Sequence, residues 1–200
     1  MRDMDGIKIQ RTIILASASP RRKELLEKIG LVFIVDPSQY SEDLNSKLTP
    51  QDLALSISEG KARAMAAKYP DAIIIAADTI GVIGSRIIGK PHTSAEAVKM
   101  LRLLSGKSHQ VITGLTVLDS NNDMKVSKTL QTRVYFKELS DDEIAAYVKT
   151  GEPLDKAGAY AIQGLGSIFV EKINGDYYNV MGLPLNALAE ILKEFGIQVL

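Results

Sequence analysis

A strand, a short polar turn and a helix follow one another directly near the start of the sequence. Residues 12–16 (TIILA) form an apolar run that is typical of a buried strand. The turn at residues 17–19 (SAS) leads into Pro20, a residue that suits the first turn of a helix. Apolar residues then recur at helical spacing until Gly30. This order predicts an α/β fold in which the turn lies at the carboxyl end of a strand.

The turn and the helix start, residues 17–22 (SASPRR), have the chemistry of an anion site. The first N–H groups of a helix have no helical partner, and the helix dipole attracts negative charge. Ser17 and Ser19 bring hydroxyls, and Ser19 can cap the helix. Arg21 and Arg22 occupy the first turn, where a cation costs about 0.3–1 kcal/mol unless an anion lies nearby. We predict a phosphate site; the alternative is an exposed helix start whose arginines pair with acids.

A carboxylate follows the most apolar stretch of the chain. Residues 71–77 (DAIIIAA) predict a buried strand that ends at Asp78 and Thr79. At a strand end, Asp78 can orient a water, act as a general base or hold Mg²⁺. It can equally begin a turn and accept hydrogen bonds from local amides. The residues alone leave these two interpretations open.

The remaining elements alternate between strands and helices. Helices are expected at residues 50–69, 93–104, 140–151 and 183–195, and strands at residues 31–35, 111–118, 125–136 and 167–173. Thr49 is an expected helix cap, and Ser140 with Glu143 forms a capping-box pattern. Residues 81–89 indicate a hairpin or a bend, and the turn 119–123 (DSNND) indicates a hairpin. The expected sheet is therefore mixed rather than purely parallel.

Composition narrows the function classes. A 200-residue chain that is 46% hydrophobic suits one domain over residues 1–200, or two joined lobes around one cleft. Its 24 basic and 24 acidic residues balance, which argues against a stable nucleic-acid partner. It has no cysteine, so disulfides and thiolate metal sites are excluded. With no leader-like start and no apolar run of ~20 residues, we expect a cytoplasmic protein without a membrane span.

Other polar residues carry weaker signals. Glu42 and Asp43 lie in an irregular polar loop, and the sequence does not choose between them. Lys61 by default is an exposed helical lysine, and Lys90 sits in a turn, GKP, that can be plain surface. Gln163 lies in a glycine-rich segment and can read a base edge, or can simply be solvated.

Short motifs in a fixed order give these residues a common context. They are LASASPRR (residues 15–22), ADT (77–79), GKP (89–91), LSG (104–106), GEPLDKAGAY (151–160), IQG (162–164) and NVMGLPL (179–185). Together the motifs resemble the Maf family of nucleoside triphosphate pyrophosphatases, over roughly residues 12–195. The resemblance implies an elongated mixed sheet with helices and a central cleft, as in inosine-triphosphate pyrophosphatases.

The resemblance also implies a reaction and roles for residues. Water would split a nucleoside triphosphate between its α and β phosphates, releasing a monophosphate and pyrophosphate in house-cleaning of the nucleotide pool. Asp78 aligns with the catalytic acid of the family. Arg21, Thr79 and Gln163 align with positions that separate subgroups, and their combination resembles the subgroup acting on dTTP and UTP.

Further implications concern the cleft. Glu42, Lys61 and Lys90 match family cleft positions: the lysines would neutralise the leaving pyrophosphate, and Glu42 or Asp78 would hold Mg²⁺ or Mn²⁺. A homodimer is expected by the same resemblance. Two rivals stay open, a non-enzymatic regulator of cell division that binds nucleotide or nucleic acid, and a purine pyrophosphatase or phosphatase on the same scaffold.

Overall fold

A computed structural model of the protein describes residues 11–41 and 47–200. In those residues the strands are β1 Thr12–Leu15, β2 Ile34–Val35, β3 Ala72–Ile83, β4 Arg86–Ile88, β5 Ser108–Asp119, β6 Met124–Phe136 and β7 Val170–Asn174. The helices are α1 Pro20–Lys28, α2 Pro50–Ala66, α3 Ser94–Leu104, α4 Asp141–Lys149, α5 Tyr177–Met181 and α6 Leu185–Glu194. Short 3₁₀ turns occupy Glu152–Asp155, Ala157–Ala159 and Leu165–Phe169.

The strands form one mixed sheet in the order β2-β1-β3-β5-β6-β7. β1 pairs in parallel with both β2 and β3, whereas β3, β5, β6 and β7 pair in antiparallel fashion. The prediction of a mixed sheet flanked by helices is therefore confirmed. The hairpin predicted at residues 119–123 connects β5 to β6, and the one at 81–89 pairs β4 with the end of β3.

One edge of β3 has a gap in its pairing. The register with β1 ends at Ile75, and the register with β4 begins at Gly81. On the opposite edge, β5 pairs with β3 continuously from Ile73 to Val82. Within residues 11–41 and 47–200, residues 76–80 therefore have no strand partner on this edge, and we call this gap in the pairing the notch.

The length of β3 corrects one prediction from the sequence. Asp78 and Thr79 lie in the middle of β3 and not at its end, because the strand continues to Ile83. Ile80 and Val82 are buried like the residues before Asp78, and they keep the strand apolar after its two polar residues. The expected strand end was placed at the first polar residues, although the pairing with β5 extends the strand beyond them.

Helices cover the two faces of β3 differently. Odd-numbered residues such as Ile73 and Ile75 pack with α1 and α6, and even-numbered residues such as Ile74 pack with α2. This division follows from the alternation of side chains along a strand. We call these the α1 face and the α2 face.

The sequence correctly predicted two helix caps, in which a side chain accepts a hydrogen bond from the backbone at the start of a helix. Thr49 accepts a hydrogen bond from the N–H of Asp52, and Ser140 forms the expected capping box with Glu143. Two predicted strands are present with different bounds: the second strand has only two residues, and residues 165–169 form a 3₁₀ turn before β7. α5 was not expected. Within the described residues, no helix is long and apolar enough to cross a membrane.

Candidate active site

The guanidinium of Arg22 is the centre of a buried hydrogen-bond cluster on the α1 face. Its Nε donates to the carbonyl oxygen of Gly182 at 2.8 Å, and its Nη1 donates to Ser17 Oγ at 3.0 Å. Its Nη2 donates to Thr79 Oγ1 at 3.1 Å. Arg22 is only 9% exposed. These partners come from different parts of the described chain and fix the direction of the guanidinium.

The start of α1 differs in detail from the expectation. Ser19 stands at the N-cap position, but its side chain makes no capping hydrogen bond. Instead, Ser17 Oγ accepts from the N–H of Ser19 at 3.2 Å. The same hydroxyl therefore holds both the turn and Arg22. Arg21 follows Pro20 and is partly exposed at the helix start.

Thr79 is held from behind by groups that the sequence did not single out. Its Oγ1 lies 2.9 Å from Thr113 Oγ1 of β5, and the Thr113 hydroxyl donates to the carbonyl oxygen of Asn179 at 3.2 Å. The Asn179 side chain is fully buried and donates to Val111 O and Thr132 Oγ1, both at 3.0 Å. The motif NVMGLPL, which contains Asn179, was the available signal for this support.

Asp78 projects from the α2 face. Its Oδ1 accepts from Lys61 Nζ of α2 at 2.7 Å, and the two side chains are 13% and 14% exposed. Lys61 is therefore not the solvated helical lysine that its position alone favours. Gly114 of β5 is the cross-strand neighbour of Asp78, and a Cβ there would collide with the backbone of Ala54. The missing side chain lets α2 pack closely beside Asp78.

The notch brings the two faces together. Adjacent side chains in a strand point to opposite sides. Asp78 therefore lies on the α2 face of the sheet, and Thr79 lies on the α1 face. β1 ends opposite Ile75, which places the turn carrying Ser17 at the beginning of the notch. In the described part of the chain, no strand pairs with β3 on that edge of the notch. Asp78 with Lys61 and Ser17 with Arg22 therefore lie on opposite faces of β3 beside the same gap.

Lys90 and Gln163 were also expected at the site. Lys90 is exposed and follows β4, whose direction leads the chain back along β3 from Gly81 towards Thr79. Gln163 is exposed and follows Ile162, which packs against the core that contains Ala77. The hydrogen bonds described for residues 11–41 and 47–200 do not join Lys90 or Gln163 to the Arg22 cluster. Their roles stay predictions.

The expected metal ligands are described only in part. Glu42, and with it Asp43, lies outside the described residues. In the described part of the chain, no group of three or more Asp, Glu or His side chains is placed to hold a metal. Mg²⁺ commonly binds one or two carboxylates and takes its other ligands from water and substrate phosphates. The Asp78 carboxylate, beside the predicted phosphate site, fits that partial type of coordination.

Comparison with known proteins identifies the family. The family model described as Maf-like protein matches residues 12–195. The chain belongs to the Maf family. A relative from Methanosarcina mazei, named dTTP/UTP pyrophosphatase, is 48% identical over 190 residues, covering 94% of this chain and 96% of the relative. A relative from Bacillus cereus with the same name is 50% identical over 189 residues, covering 94% and 98%.

Solved structures show the same fold in this Maf protein and in more distant proteins. A HAM1 protein from Coxiella burnetii superposes with a TM-score of 0.52 at 18% identity, covering 92% of this chain and 99% of the other. The Staphylococcus aureus Ham1 protein gives a TM-score of 0.53 at 13% identity, with the same coverage. The fold class implied by the resemblance is therefore confirmed.

Proposed function

We propose that this Maf protein hydrolyses dTTP and UTP to their monophosphates and pyrophosphate, as house-cleaning of the nucleotide pool. The observation that carries the proposal is the arrangement at the notch, where the Arg22 cluster and the Asp78–Lys61 pair lie on opposite faces of β3 beside one gap in the pairing. The names of relatives about 50% identical over nearly the whole chain support the choice of dTTP and UTP.

The α1 face is suited to hold the triphosphate. The N–H groups at the start of α1 attract an anion, and Arg22 adds a guanidinium whose direction is fixed by Ser17, Thr79 and Gly182. Arg21 and the Ser19 hydroxyl stand at the same helix start. We assign the triphosphate grip to these groups.

The α2 face is suited to the chemical step. Asp78 accepts a proton from water as the water oxygen attacks the α-phosphorus, and the bond from that phosphorus to the bridging oxygen breaks. Pyrophosphate leaves with the bridging oxygen. Lys61 beside Asp78, together with Lys90, neutralises charge that builds on the departing group. One water is consumed for each monophosphate and pyrophosphate formed.

A divalent cation, Mg²⁺ or Mn²⁺, fits this site as a partner of Asp78, with Glu42 as the second proposed ligand. When bound, the cation neutralises phosphate oxygens and polarises the bond that breaks. Lys61 already supplies one positive charge to Asp78, so removing the metal with a chelator should lower turnover without unfolding the chain. Thermal unfolding with and without the chelator checks this expectation.

Base selection is assigned to Gln163, which can offer both a donor and an acceptor to a pyrimidine edge. Thr79 is the second expected contact, although its hydroxyl already bonds to Arg22 and Thr113. Through those bonds, a change at Thr79 would alter phosphate binding as well as base choice. Arg21 at the phosphate end is the third proposed selector.

The deciding experiment is a panel of nucleoside triphosphates incubated with Mg²⁺ and analysed for products. Pyrophosphate and monophosphate from dTTP and UTP are the expected products. Orthophosphate would indicate a phosphatase, and a preference for purines would indicate the purine pyrophosphatase. Nucleotide binding without any product would indicate the non-enzymatic regulator.

The cellular setting is also a proposal. We propose one domain over residues 1–200 in the cytoplasm, acting as a homodimer. Sedimentation at several protein concentrations tests the dimer, since a monomer mass at all concentrations contradicts it.

A further inference from the structure

The turn that carries Gln163 is held by a carboxylate from another element. Glu152 opens the 3₁₀ turn Glu152–Asp155, directly after α4 and Gly151. Its Oε2 accepts from the N–H of Leu165 at 3.0 Å, and its Oε1 accepts from the N–H of Gly166 at 3.1 Å. Tyr147 of α4 donates its hydroxyl to the same Oε1 at 2.8 Å. Three donors therefore meet on one side chain.

The other end of the turn is tied to the same network. The N–H of Ala161 donates to the Tyr147 hydroxyl oxygen at 3.2 Å, and the N–H of Gly164 donates to Ala161 O at 3.2 Å. Gln163 lies between these ties, and its own side chain is exposed. The backbone on both sides of Gln163 is therefore fixed, and its side chain remains accessible to a ligand.

Two glycines make this close approach possible. A Cβ at Gly164 would collide with the Glu152 carboxylate. A Cβ at Gly166 would lie 2.6 Å from the Tyr147 hydroxyl oxygen, closer than real contacts allow. The turn therefore lies against Glu152 and Tyr147 because the side chains that would separate them are missing.

The network needs a group that only accepts hydrogen bonds. Burial alone would raise the pKa of Glu152, but the hydrogen bonds from Gly166, Tyr147 and Leu165 outweigh it and lower that pKa. Both oxygens are then acceptors, which matches the donors facing them. A glutamine here would turn an NH₂ group against a backbone N–H or the Tyr147 hydroxyl.

We infer that Glu152 is a positioning residue for nucleobase selection, since it fixes the turn of residues 161–166 and thereby the place of Gln163. The inference rests on the proposed function, because it assigns Gln163 to the base. Recognition groups lose selectivity when their supporting contacts are loosened, even when they are themselves intact. Glu152 touches the turn and not the reacting phosphates.

The first test compares Glu152→Gln with Glu171→Gln, a control at an exposed glutamate of β7. The readout is kcat and KM for dTTP and for dGTP. Glu152→Gln should lower the ratio of kcat/KM for dTTP over dGTP about three- to tenfold, the size expected for one hydrogen bond. The loss should appear in KM for dTTP, and Glu171→Gln should keep the ratio. An equal loss for both nucleotides would overturn the inference.

A double variant tests whether Glu152 acts through Gln163. Gln163→Ala alone should reduce the dTTP preference, and adding Glu152→Gln should then reduce it no further. Fully additive effects would show that Glu152 acts by another route. Tyr147→Phe removes one donor and should shift the ratio in the same direction. It is the second variant to use if Glu152→Gln does not fold.

Hydrogen exchange separates this inference from the proposed function. The amides of Leu165 and Gly166 should exchange faster in Glu152→Gln than in Glu171→Gln. Unchanged exchange would overturn the positioning role whatever the enzyme does. If the unmodified protein releases no pyrophosphate from any nucleotide, the proposed function fails, and exchange alone then reports on the turn. Hydrolysis with no base preference would overturn the selection role and keep the activity.

Discussion

The two faces of β3 hold their charged groups in different ways. On the α1 face, the described hydrogen bonds of Arg22 go to neutral oxygens of Ser17, Thr79 and Gly182. On the α2 face, Asp78 accepts from Lys61 within an ion pair. A guanidinium has fixed donor directions, whereas an ammonium acts much like a point charge. The α1 face should therefore depend on geometry, and the α2 face on charge.

This contrast fits the two tasks proposed for the notch. Gripping a triphosphate requires donors whose directions match the phosphate oxygens. A proton transfer requires a carboxylate close to the water, and Lys61 keeps Asp78 in place. The four predictions below test the contrast, from the largest expected effect to the smallest.

The largest effect is expected from Asp78→Asn. The amide keeps the size of the side chain but loses the charge and the ability to take a proton. We expect kcat to fall about 10²–10⁴-fold, measured as pyrophosphate release from dTTP. Thermal unfolding serves as the control for folding. A folded variant with nearly full turnover would remove Asp78 from the base role.

The second-largest effect on activity is expected from two substitutions that keep the charge, Arg22→Lys and Lys61→Arg. Arg22→Lys loses the planar fork that contacts three partners, so kcat/KM for dTTP should fall roughly 10–100-fold. Lys61→Arg keeps a donor and a charge beside Asp78 and should have the smaller effect. Equal losses in the two variants would break the comparison between geometry and charge.

The sequence anticipated residues whose chemistry shows locally. Two arginines at the start of a helix violate the helix-dipole preference, and one of them, Arg22, is the centre of the buried cluster. Thr49 and Ser140 cap helices through bonds within three residues along the chain. Such short-range bonds can be predicted because both partners lie in one stretch of sequence.

The parts that escaped prediction depend on distant partners. The sequence predicts that the strand ends at Asp78, but in the structure the pairing with β5 continues past Asp78 and β3 ends at Ile83. Thr113 supports Thr79 from 34 residues away, and Asn179 contacts Thr113 from 66 residues away. Asn179 stands in the motif NVMGLPL, but nothing in that motif names its partners. Glu152 stood inside a recognised motif, yet its partners become visible only when residues 165 and 166 are folded against it.

Two glycines allow each face to be disturbed separately. Gly114→Ala would force the backbone of Ala54 in α2 away from β5, at a cost of roughly 1–3 kcal/mol. Gly182 has φ +105°, and a Cβ there would lie 3.3 Å from Thr79 Oγ1 and 3.5 Å from Arg22 Nε. We expect Gly114→Ala to lower mainly kcat and Gly182→Ala to raise mainly KM for dTTP. The same kinetic change in both would mean that the faces do not work separately.

The smallest effect comes from two threonines of β5 that point to opposite faces. Both are fully buried: Thr113 bonds to Thr79 at 2.9 Å, and Thr116 bonds to Ser58 of α2 at 2.8 Å. Replacing either by Val removes a hydroxyl at nearly constant volume and should cost about 1 kcal/mol of unfolding free energy.

Only Thr113→Val should affect catalysis, because only Thr113 supports the oxygen that orients Arg22. We expect kcat/KM for dTTP to fall about three- to tenfold in Thr113→Val and to stay unchanged in Thr116→Val. Denaturant unfolding of both variants checks that their stabilities match. If Thr113→Val is as active as Thr116→Val, the direction of the guanidinium does not depend on this hydroxyl chain.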